Sequence, residues 1–246
     1  MLALDRVVKT FGGIRAVDGV SFGVNAGEIV ALIGPNGSGK STTLNLITRV
    51  YPLTSGAIYF QGRDITRLAT HQVIHAGIAR TFQNIRLFNN LTVWENLWVA
   101  VRGHGASAWR SWFTTDRSTY AWIDDILGYC HLRHRRHDLA GHISFGEARR
   151  LEVARGMATN PRLLMLDEPA AGMNAAEIGE LIDTIRSLRQ RGTTILVIDH
   201  VLDLVLNVAE RVVVLNFGQN LAEGSPVEIQ ADPKVRAAYL GTKEHP

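Results

Sequence analysis

One stretch of the sequence has the residue types and spacing of a phosphate-binding loop: a glycine, four free positions and then Gly-Lys-Ser. Glycines allow the backbone to turn tightly, so that successive N–H groups can point at phosphate oxygens. Lys40 would place a positive charge on the β- and γ-phosphates of a nucleotide, and the Ser41 hydroxyl would take a Mg²⁺ position. We therefore expect phosphate binding at the residues Gly34-Pro35-Asn36-Gly37-Ser38-Gly39-Lys40-Ser41.

The segments on either side of this loop predict the elements that would position it. Residues 28–33 form a short apolar run of the buried-strand type, and residues 42–50 predict a helix that Pro52 ends. A helix that starts at the loop directs the positive end of its dipole at a bound anion. A glycine-rich turn without a ligand is the alternative, but strand, loop and helix in this order favour phosphate binding.

Two acidic residues follow a second predicted buried strand, residues 162–167. Asp167 and Glu168 would be costly at this position unless they met a cation or positioned a water molecule. In phosphate-loop enzymes the first such carboxylate commonly holds Mg²⁺, usually through water. The next carboxylate can accept a proton from the attacking water. Asp167 is therefore a candidate metal ligand and Glu168 a candidate general base.

Two further predicted strands end in polar side chains. Gln83 ends residues 78–83, and its amide oxygen could reach a metal ion or a water molecule, although a strand-end glutamine is usually just solvated. His200 follows residues 193–198, and its side chain could hydrogen-bond a γ-phosphate. Ligands of parallel α/β sheets bind beyond the carboxyl ends of the strands, so we expect these side chains at the same edge as the phosphate loop.

The composition is that of an ordinary globular protein: 46% of the 246 residues are hydrophobic and 20% are charged. No apolar run reaches the ~20 residues that a membrane-spanning helix needs, and residues 1–11 lack the apolar core of a signal peptide, so we expect a cytoplasmic protein. The net charge of +3 suits anionic ligands or a membrane surface, and no long block of Lys and Arg marks a nucleic-acid tract. Cys130 is the only cysteine, which excludes an intrachain disulfide, and we expect a structural thiol.

Residues 91–157 predict a helical segment. Residues 92–95 have the pattern of a capping box, and all five tryptophans fall in this segment. They could form the core of a small lobe, or Trp109 and Trp112 could be exposed at a partner interface. Four histidines lie among arginines, and we expect a solvated basic turn rather than a metal site there because the cations would repel a metal ion: His131, His134, His137 and His142.

The remaining segments predict strands and capped helices. Residues 2–33 predict short strands separated by turns, with Val7 and Val8 in an edge-like strand. Residues 174–177 predict the capped start of an amphipathic helix, and residues 225–228 predict that of a terminal helix.

In their order along the chain, these motifs resemble the nucleotide-binding subunit of ABC transporters, and the resemblance covers nearly the whole chain. Its decisive element is Ile143-Ser144-Phe145-Gly146-Glu147, which is similar to the signature motif of that family, typically Leu-Ser-Gly-Gly-Gln. Ser144 and Gly146 match the motif, and the other three residues depart from it. The serine hydroxyl, the backbone N–H groups and the helix N-terminus are expected to remain available for phosphate.

The resemblance implies a role for each matching position. Gln83 would be the glutamine of the Q-loop, and Asp167 would be the metal-site aspartate. Glu168 would be the general base, and His200 the switch histidine. Phe11 matches the aromatic residue that stacks on adenine, although its local sequence alone fits an ordinary core or surface residue.

The resemblance also implies a dimer, formed with a second copy or with a paralogue. Each of two ATP molecules, with Mg²⁺, would lie between the loop from Gly34 to Thr42 of one subunit and the Ser144–Gly146 segment of the other. Closure and hydrolysis would then move membrane-embedded permease subunits. Asn174 stands in the D-loop where aspartate is usual, and an amide cannot carry the charge of a carboxylate, so coupling across the dimer is expected to differ there.

The implied fold is α/β: a P-loop (RecA-like) core sheet with an antiparallel β subdomain and an inserted α-helical subdomain. Residues 1–90 would hold the antiparallel subdomain and the first part of the ATPase core. Residues 91–157 would form the helical subdomain with the signature motif, and residues 158–246 the second part of the core with a C-terminal helix.

Within this family, residues 80–88, 168–174 and 238–241 look most like those of the ATPase subunits of branched-chain amino acid importers. Relatives that serve urea, amides or lipopolysaccharide export share much of the pattern and stay open as alternatives. The implied partners are integral-membrane permease subunits, a second ATPase subunit and, indirectly, a solute-binding protein, at the cytoplasmic face of the cell membrane.

Two other classes of protein fit less well. ABC ATPases that act on nucleic acid usually carry long coiled coils or two fused cassettes, and the sequence has no sustained heptads, so no nucleic acid is expected. A metabolic P-loop kinase would need a second-substrate pocket and gives no reason for the Ser144–Gly146 segment.

Overall fold

The computed structural model describes residues 1–102 and 117–240 of the protein, and it confirms the predicted α/β class. The described strands are β1 (Leu2–Phe11), β2 (Ile14–Val24), β3 (Ile29–Ile33), β4 (Ser55–Phe60), β5 (Arg63–Asp64), β6 (Ile78–Arg80), β7 (Leu163–Asp167), β8 (Thr194–Ile198), β9 (Arg211–Asn216) and β10 (Gln219–Gly224). The described helices are α1 (Lys40–Ile47), α2 (Thr70–His75), α3 (Val93–Arg102), α4 (Arg117–Tyr129), α5 (Phe145–Ala158), α6 (Ala175–Gln190), α7 (Leu202–Val208), α8 (Pro226–Ala231) and α9 (Pro233–Leu240).

Six strands form the core sheet, in the order β10-β9-β3-β8-β7-β6. The strands from β9 to β6 run parallel, and β10 pairs antiparallel with β9 at one side of the sheet. Every residue of β3, β7 and β8 is buried, which is why these segments read as continuous apolar runs. Because the strands are parallel, their carboxyl ends share one edge, where the following loops can hold a ligand.

The antiparallel sheet has the strand order β2-β1-β4-β5. Strand β1 pairs with β2 on one side and with β4 on the other, so it is an interior strand. The prediction of an edge-like strand at Val7 and Val8 is therefore wrong. Local sequence shows that a segment is extended, but the partners of a strand lie far away in the chain.

The hydrophobic core divides between the two faces of the core sheet. Along β7, Leu164 and Leu166 pack with the helical segment, whereas Leu163 and Met165 pack with the antiparallel sheet. This alternation follows from the two-residue period of a strand. Helices α3, α4 and α5 thus share one core with the sheet. The subdomain boundaries at residues 90 and 157 remain a proposal.

Several local predictions hold in the helical parts. The Glu95 N–H donates to Thr92 Oγ1 at 3.2 Å and the Thr92 N–H donates to the Glu95 carboxylate at 2.7 Å, which is the capping box predicted for α3. The capping boxes predicted at residues 174–177 and 225–228 are also formed. Cys130 is fully buried, and burial raises the pKa of its thiol to about 12, as fits a structural cysteine.

The predicted interface tryptophans, Trp109 and Trp112, lie outside the residues that the structure describes. Among the helices of residues 1–102 and 117–240, none combines the length and the apolar character needed to cross a membrane.

Candidate active site

The carboxyl edge of the core sheet brings together the loops that carry the predicted site residues. Strand β8 lies between β3 and β7, and its Ile198 is in register with Leu32 of β3 and with Asp167 of β7. The phosphate loop follows β3, Glu168 follows β7 and His200 follows β8. The three loops therefore leave the sheet side by side, at the usual place for a ligand in such sheets.

Close backbone contacts at two glycines hold the phosphate loop in shape. A Cβ atom at Gly34 would lie 2.1 Å from the carbonyl oxygen of Leu215, and one at Gly39 would lie 2.6 Å from that of Ala16. Gly39 also has a φ of +100°, which favours glycine. Helix α1 begins at Lys40 rather than at the predicted residue 42, so its positive dipole end lies directly at the loop.

The lysine of the loop is buried and held by backbone carbonyls. Lys40 Nζ donates to the carbonyl oxygens of Gly34 and Pro35 at 2.7 and 2.9 Å. Burial lowers the pKa of Lys40, and the charges of Glu168 and Asp167 oppose that shift. The loop that carries Lys40 and the strand end that carries Asp167 and Glu168 lie on either side of β8 at the same edge of the sheet.

One hydroxyl of the loop lacks a partner. Ser38 is 2% exposed, and its Oγ has no hydrogen-bond partner in the part of the chain that the structure describes. A buried polar atom without a partner is costly, and a phosphate oxygen in the loop would supply one. Ser41, in the first turn of α1, is exposed and can reach a ligand at the loop.

Asp167 is paired with an arginine that the sequence analysis missed. Arg80 Nη2 donates to Asp167 Oδ2 at 2.7 Å, and both side chains are buried. Arg80 ends β6, whose pairing with β7 places it beside Met165. A cation at the end of a strand next to a buried acidic residue was the signal that could have identified this pair.

The side chains of Gln83, Glu168 and His200 meet above the end of β7. Gln83 Nε2 donates to Glu168 Oε2 at 2.7 Å, and His200 Nδ1 lies 3.9 Å from the same oxygen. Glu168 has a φ of +48°, a backbone conformation that is costly for a residue other than glycine and that often occurs at functional sites. The side chain of Glu168 is 20% exposed and that of His200 is 56% exposed, so a water molecule or a phosphate can reach both.

Asp199 ties the loop after β8 to the loop after β7. Its carboxylate accepts hydrogen bonds from the backbone N–H groups of Ala170 and Val201, both at 2.9 Å. Burial raises the pKa of Asp199, and these two hydrogen bonds oppose that shift. The sequence indicated only a polar residue at the end of a strand, and this bracing role depends on contacts that are distant along the chain.

The oxygen donors near the loop suit a hard divalent cation. Ser41 Oγ, the Gln83 amide oxygen and the Asp167 carboxylate are ligand types that Mg²⁺ prefers. The Gln83 amide nitrogen is engaged by Glu168, which leaves its oxygen for a metal ion, and Arg80 binds Oδ2 of Asp167, which leaves Oδ1. No group of three or more His, Cys, Asp or Glu side chains in residues 1–102 and 117–240 could hold a metal ion, so Mg²⁺ here would need phosphate and water ligands as well.

Phe11 is an exposed aromatic residue at the end of β1. The residue is 42% exposed, and its ring packs edge-to-face on Tyr51, with the ring centroids 5.2 Å apart. Lys9 Nζ lies 4.8 Å from the Phe11 centroid. Tyr51 supports the ring from one side, and the sequence analysis did not single it out.

Ser144 and Gly146 lie at another place, where the start of α5 meets the start of α6. Ser144 Oγ accepts a hydrogen bond from the Glu147 N–H at 3.2 Å, and the Gly146 N–H donates to Glu177 Oε1 at 3.1 Å. The expectation that these groups remain available for phosphate is therefore wrong for the Gly146 N–H. The contact joins residues 31 positions apart, which local sequence does not show.

The basic turn before this segment is exposed to solvent, as expected, and it is also tied to acidic side chains. Arg135 Nε donates to Glu147 Oε1 at 2.9 Å, and His134 Nε2 lies 3.3 Å from the same oxygen. Burial would raise the pKa of Glu147, but hydrogen bonds from Arg135 and Ser144 outweigh it and lower the pKa to about 2. The turn is thereby anchored to the start of α5.

Comparisons with known proteins agree with this geometry. The model of the ABC transporter family matches residues 17–171, and the model of branched-chain amino acid ATP-binding cassette transporters matches residues 219–245. The high-affinity branched-chain amino acid transport ATP-binding protein BraF of Pseudomonas aeruginosa is 39% identical, with 98% of each chain covered. The protein LivG of Salmonella typhimurium, which carries the same description, is 41% identical, again with 98% of each chain covered.

Solved structures are similar as well. The ADP conformation of MJ1267, an ATP-binding cassette of an ABC transporter, has a TM-score of 0.88 and 36% identity, with 98% of each chain covered. The dimeric structure of MJ0796, a bacterial ABC transporter cassette, has a TM-score of 0.79 at 24% identity and covers 92% of this chain and 99% of that one. The second similarity shows a shared fold.

Proposed function

This chain belongs to the ABC transporter family, and on that premise we propose that it binds ATP at the carboxyl edge of its core sheet and hydrolyses it to drive a membrane transporter. The placement of Lys40, Asp167 and Glu168 carries the proposal, because the loop after β3 and the end of β7 flank β8 at one edge of the sheet. A cation and two carboxylates beside a glycine loop fit a triphosphate, a metal ion and an attacking water.

Glu168 is the general base in this proposal. Its carboxylate accepts a proton from water as the water oxygen bonds to the γ-phosphorus, and the bond from that phosphorus to the β–γ bridging oxygen breaks. Gln83 orients the carboxylate through its 2.7 Å hydrogen bond, and His200 donates a hydrogen bond to the γ-phosphate. Lys40 exchanges the carbonyl oxygens that it now contacts for the β- and γ-phosphates.

Mg²⁺ and the adenine ring have their own positions. Ser41, Gln83 and Asp167 would hold Mg²⁺, Asp167 through a water molecule, and the ion supplies neutralisation of charge on the phosphates. Arg80 fixes one oxygen of Asp167, so the other keeps a constant direction. Phe11, which is partly exposed, stacks on adenine.

The working unit is a dimer of two such cassettes, with itself or with a paralogue. The loop from Gly34 to Thr42 of one subunit and the Ser144–Gly146 segment of the other enclose each ATP. This arrangement explains why one chain carries two phosphate-binding motifs that lie apart in the fold. It also makes closure of the dimer dependent on ATP.

The cargo we propose is a branched-chain amino acid. BraF and LivG are described as branched-chain amino acid transport proteins, and residues 219–245 match the model of cassettes named for that cargo. The chain would act at the cytoplasmic face of the cell membrane through permease subunits, with a solute-binding protein as an indirect partner.

A cleft beside Gln83 suits the permease contact. Its volume is about 360 Å³, and Phe82, Arg86 and Arg155 line it together with the exposed Ile74. Movement of a permease segment in this cleft would reach Gln83, the neighbour of Phe82, and hence Glu168.

Uptake by a deletion strain tests this proposal. Loss of the gene should lower the uptake of leucine, isoleucine and valine, and the wild-type gene should restore it. Lys40→Ala should not restore it, because charge-assisted contacts to phosphate contribute about 1.5–3 kcal/mol each, which is roughly 10- to 100-fold in ATP affinity. Calorimetry with ATP on the purified variant measures that loss directly.

The matched control is Arg189→Ala, which removes an exposed cation paired with Glu210 away from the site. It should restore uptake and bind ATP normally. Loss of urea or acetamide uptake in the deletion strain, with amino acid uptake intact, would change the cargo. Normal ATP affinity of Lys40→Ala would contradict the nucleotide site itself.

A further inference from the structure

One carboxylate joins the signature segment (Ser144–Gly146) to the D-loop (Ala171–Asn174) within the same chain. The Gly146 N–H donates to Glu177 Oε1 at 3.1 Å, and the Asn174 N–H donates to Glu177 Oε2 at 2.9 Å. The Glu177 N–H in turn donates to Asn174 Oδ1 at 3.1 Å, which completes the capping box of α6. Both oxygens of Glu177 are thus engaged, one by each segment.

The packing around this carboxylate is close. A Cβ atom at Gly146 would lie 2.7 Å from both Cγ and Oε1 of Glu177, and one at Gly172 would lie 3.3 Å from the ring of Phe145. Gly146 is buried, whereas Ser144 beside it is exposed. Glycines at positions 146 and 172 are what allow the two segments to approach each other this far.

We propose that Glu177 is an internal anion that occupies the Gly146 N–H in the free subunit and that the partner's ATP must displace it before the dimer closes. The inference rests on the proposed function, in which this segment binds the phosphate of the opposite ATP. The N–H at the second position of α5 lies at the positive end of the helix, and either a carboxylate or a phosphate can fill it. Both cannot do so at once, because two anions at hydrogen-bond distance from one donor repel each other strongly.

A cleft next to the contact gives the displaced carboxylate a place to go. The cleft has a volume of about 890 Å³, and Glu177 and Ser144 line it. Cations and acidic side chains both complete the lining: Arg133, Arg135, Arg150, Glu147, Glu180 and Asp183. A carboxylate that leaves the helix end therefore enters a cleft lined by charged side chains, where Arg135 and Arg150 are already paired with Glu147 and Glu180.

Displacement would also change the D-loop. When Oε2 leaves, the Asn174 N–H loses its acceptor, so engagement of the signature segment alters the cap of α6 in the same subunit. A change at Gly146 therefore changes the hydrogen bonding of Asn174. Its amide oxygen suits this part because it caps the helix without adding a second negative charge beside Glu177.

ATP-dependent dimerisation of Glu168→Gln protein, in which the bound ATP is not consumed, tests the proposal. Adding Glu177→Gln or Glu177→Ala should lower the ATP concentration needed for half-maximal dimer by about ten-fold, which corresponds to about 1.4 kcal/mol. ATP affinity of the monomer should be unchanged, because the phosphate loop is a separate site. Light scattering over an ATP series, with calorimetry at concentrations below dimerisation, gives both values.

Glu228→Ala is the matched control, because Glu228 forms the same capping box with Ser225 at α8. Its dimerisation should follow that of the parent. Half-maximal dimerisation of both Glu177 variants at the parent's ATP concentration, or at a higher one, would overturn the proposal. A parent protein that fails to dimerise with ATP would overturn the sandwich itself, and so distinguishes failure of the proposed function from failure of the Glu177 contact alone.

A double-mutant cycle tests the contact in solution. Gly146→Ala should lower the unfolding temperature in the Glu177 protein and lower it much less in the Glu177→Ala protein, because the clash at 2.7 Å is then gone. Equal losses in both backgrounds would mean that the two residues do not touch, and would overturn the proposal independently of ATP.

Discussion

The two segments that we propose bind phosphate are prepared for their ligand in opposite ways. At the phosphate loop, Lys40 is held over the site by carbonyl oxygens, neutral groups that a phosphate can replace without charge repulsion. At the signature segment, the donor is covered by the chain's own carboxylate, Glu177. The first site can fill in an isolated subunit, whereas the second opens only in competition. Binding of ATP and closure of the dimer can thereby be separate events.

The largest effect should be on the rate of ATP hydrolysis, through Glu168 at the carboxyl edge of the core sheet. Glu168→Gln should lower the rate of ATP hydrolysis by roughly 10²- to 10⁴-fold, because it removes the acceptor for the proton of the attacking water. ATP affinity should be retained, and an ATP-bound dimer should accumulate. Phosphate release and nucleotide binding measure the two quantities.

The control for this substitution is Glu210→Gln, at the amino end of β9, whose rate should stay normal. A normal rate for Glu168→Gln as well would assign the base to another residue. The difference between the two segments would then concern phosphate binding alone and not hydrolysis.

A smaller effect is expected from the ion pair that supports the same edge. Arg80→Ala leaves Asp167 buried without its cation, so the free energy of unfolding should fall by about 3 kcal/mol. Urea denaturation measures it, with Arg15→Ala as the control. The Arg15–Asp18 pair is exposed, and its loss should cost less than about 1 kcal/mol. Equal losses in the free energy of unfolding for the two variants would mean that Arg80 does not stabilise Asp167.

The stability of the protein should fall in acid because of Glu147, which lies beside the signature segment. The folded-state pKa of Glu147 is about 2, below its ordinary value of 4.5, so its stabilising contribution is complete above pH 4.5. That contribution is lost as the pH falls from about 4.5 toward 2. Glu147→Gln should therefore flatten the loss of stability over this range, by roughly 2 kcal/mol. Unfolding curves at pH 5, 4 and 3 would show it, and parallel pH profiles for wild type and variant would contradict the pairing with Arg135.

The sequence predicted what depends on neighbouring residues. The phosphate loop, the capping boxes at Thr92, Asn174 and Ser225, and the strands that end at Asp167 and Ile198 all follow from local patterns. Strand β10 and helix α7 were missed because β10 is half exposed with a weak alternation and α7 has only seven residues.

What the sequence did not predict depends on distant partners. Arg80 reaches Asp167 across 87 positions, and the interior place of β1 depends on pairing with β4. The occupied N–H of Gly146 likewise depends on a helix that begins 29 residues later. Side-chain chemistry could name the donors and acceptors, but only the three-dimensional fold decides which of them are already satisfied.

The buried Asp199 has a consequence for how the proposed catalytic residues move. Its carboxylate accepts hydrogen bonds from the N–H groups of Ala170, in the loop after β7, and of Val201, in the loop after β8. The Glu168 N–H also donates to the Ile198 carbonyl oxygen at 2.7 Å. These hydrogen bonds join the loop after β7 to the loop after β8, so that the two loops form one rigid unit at the edge of the sheet. We therefore expect Glu168 and His200 to move together, so that a displacement of the histidine also displaces the glutamate.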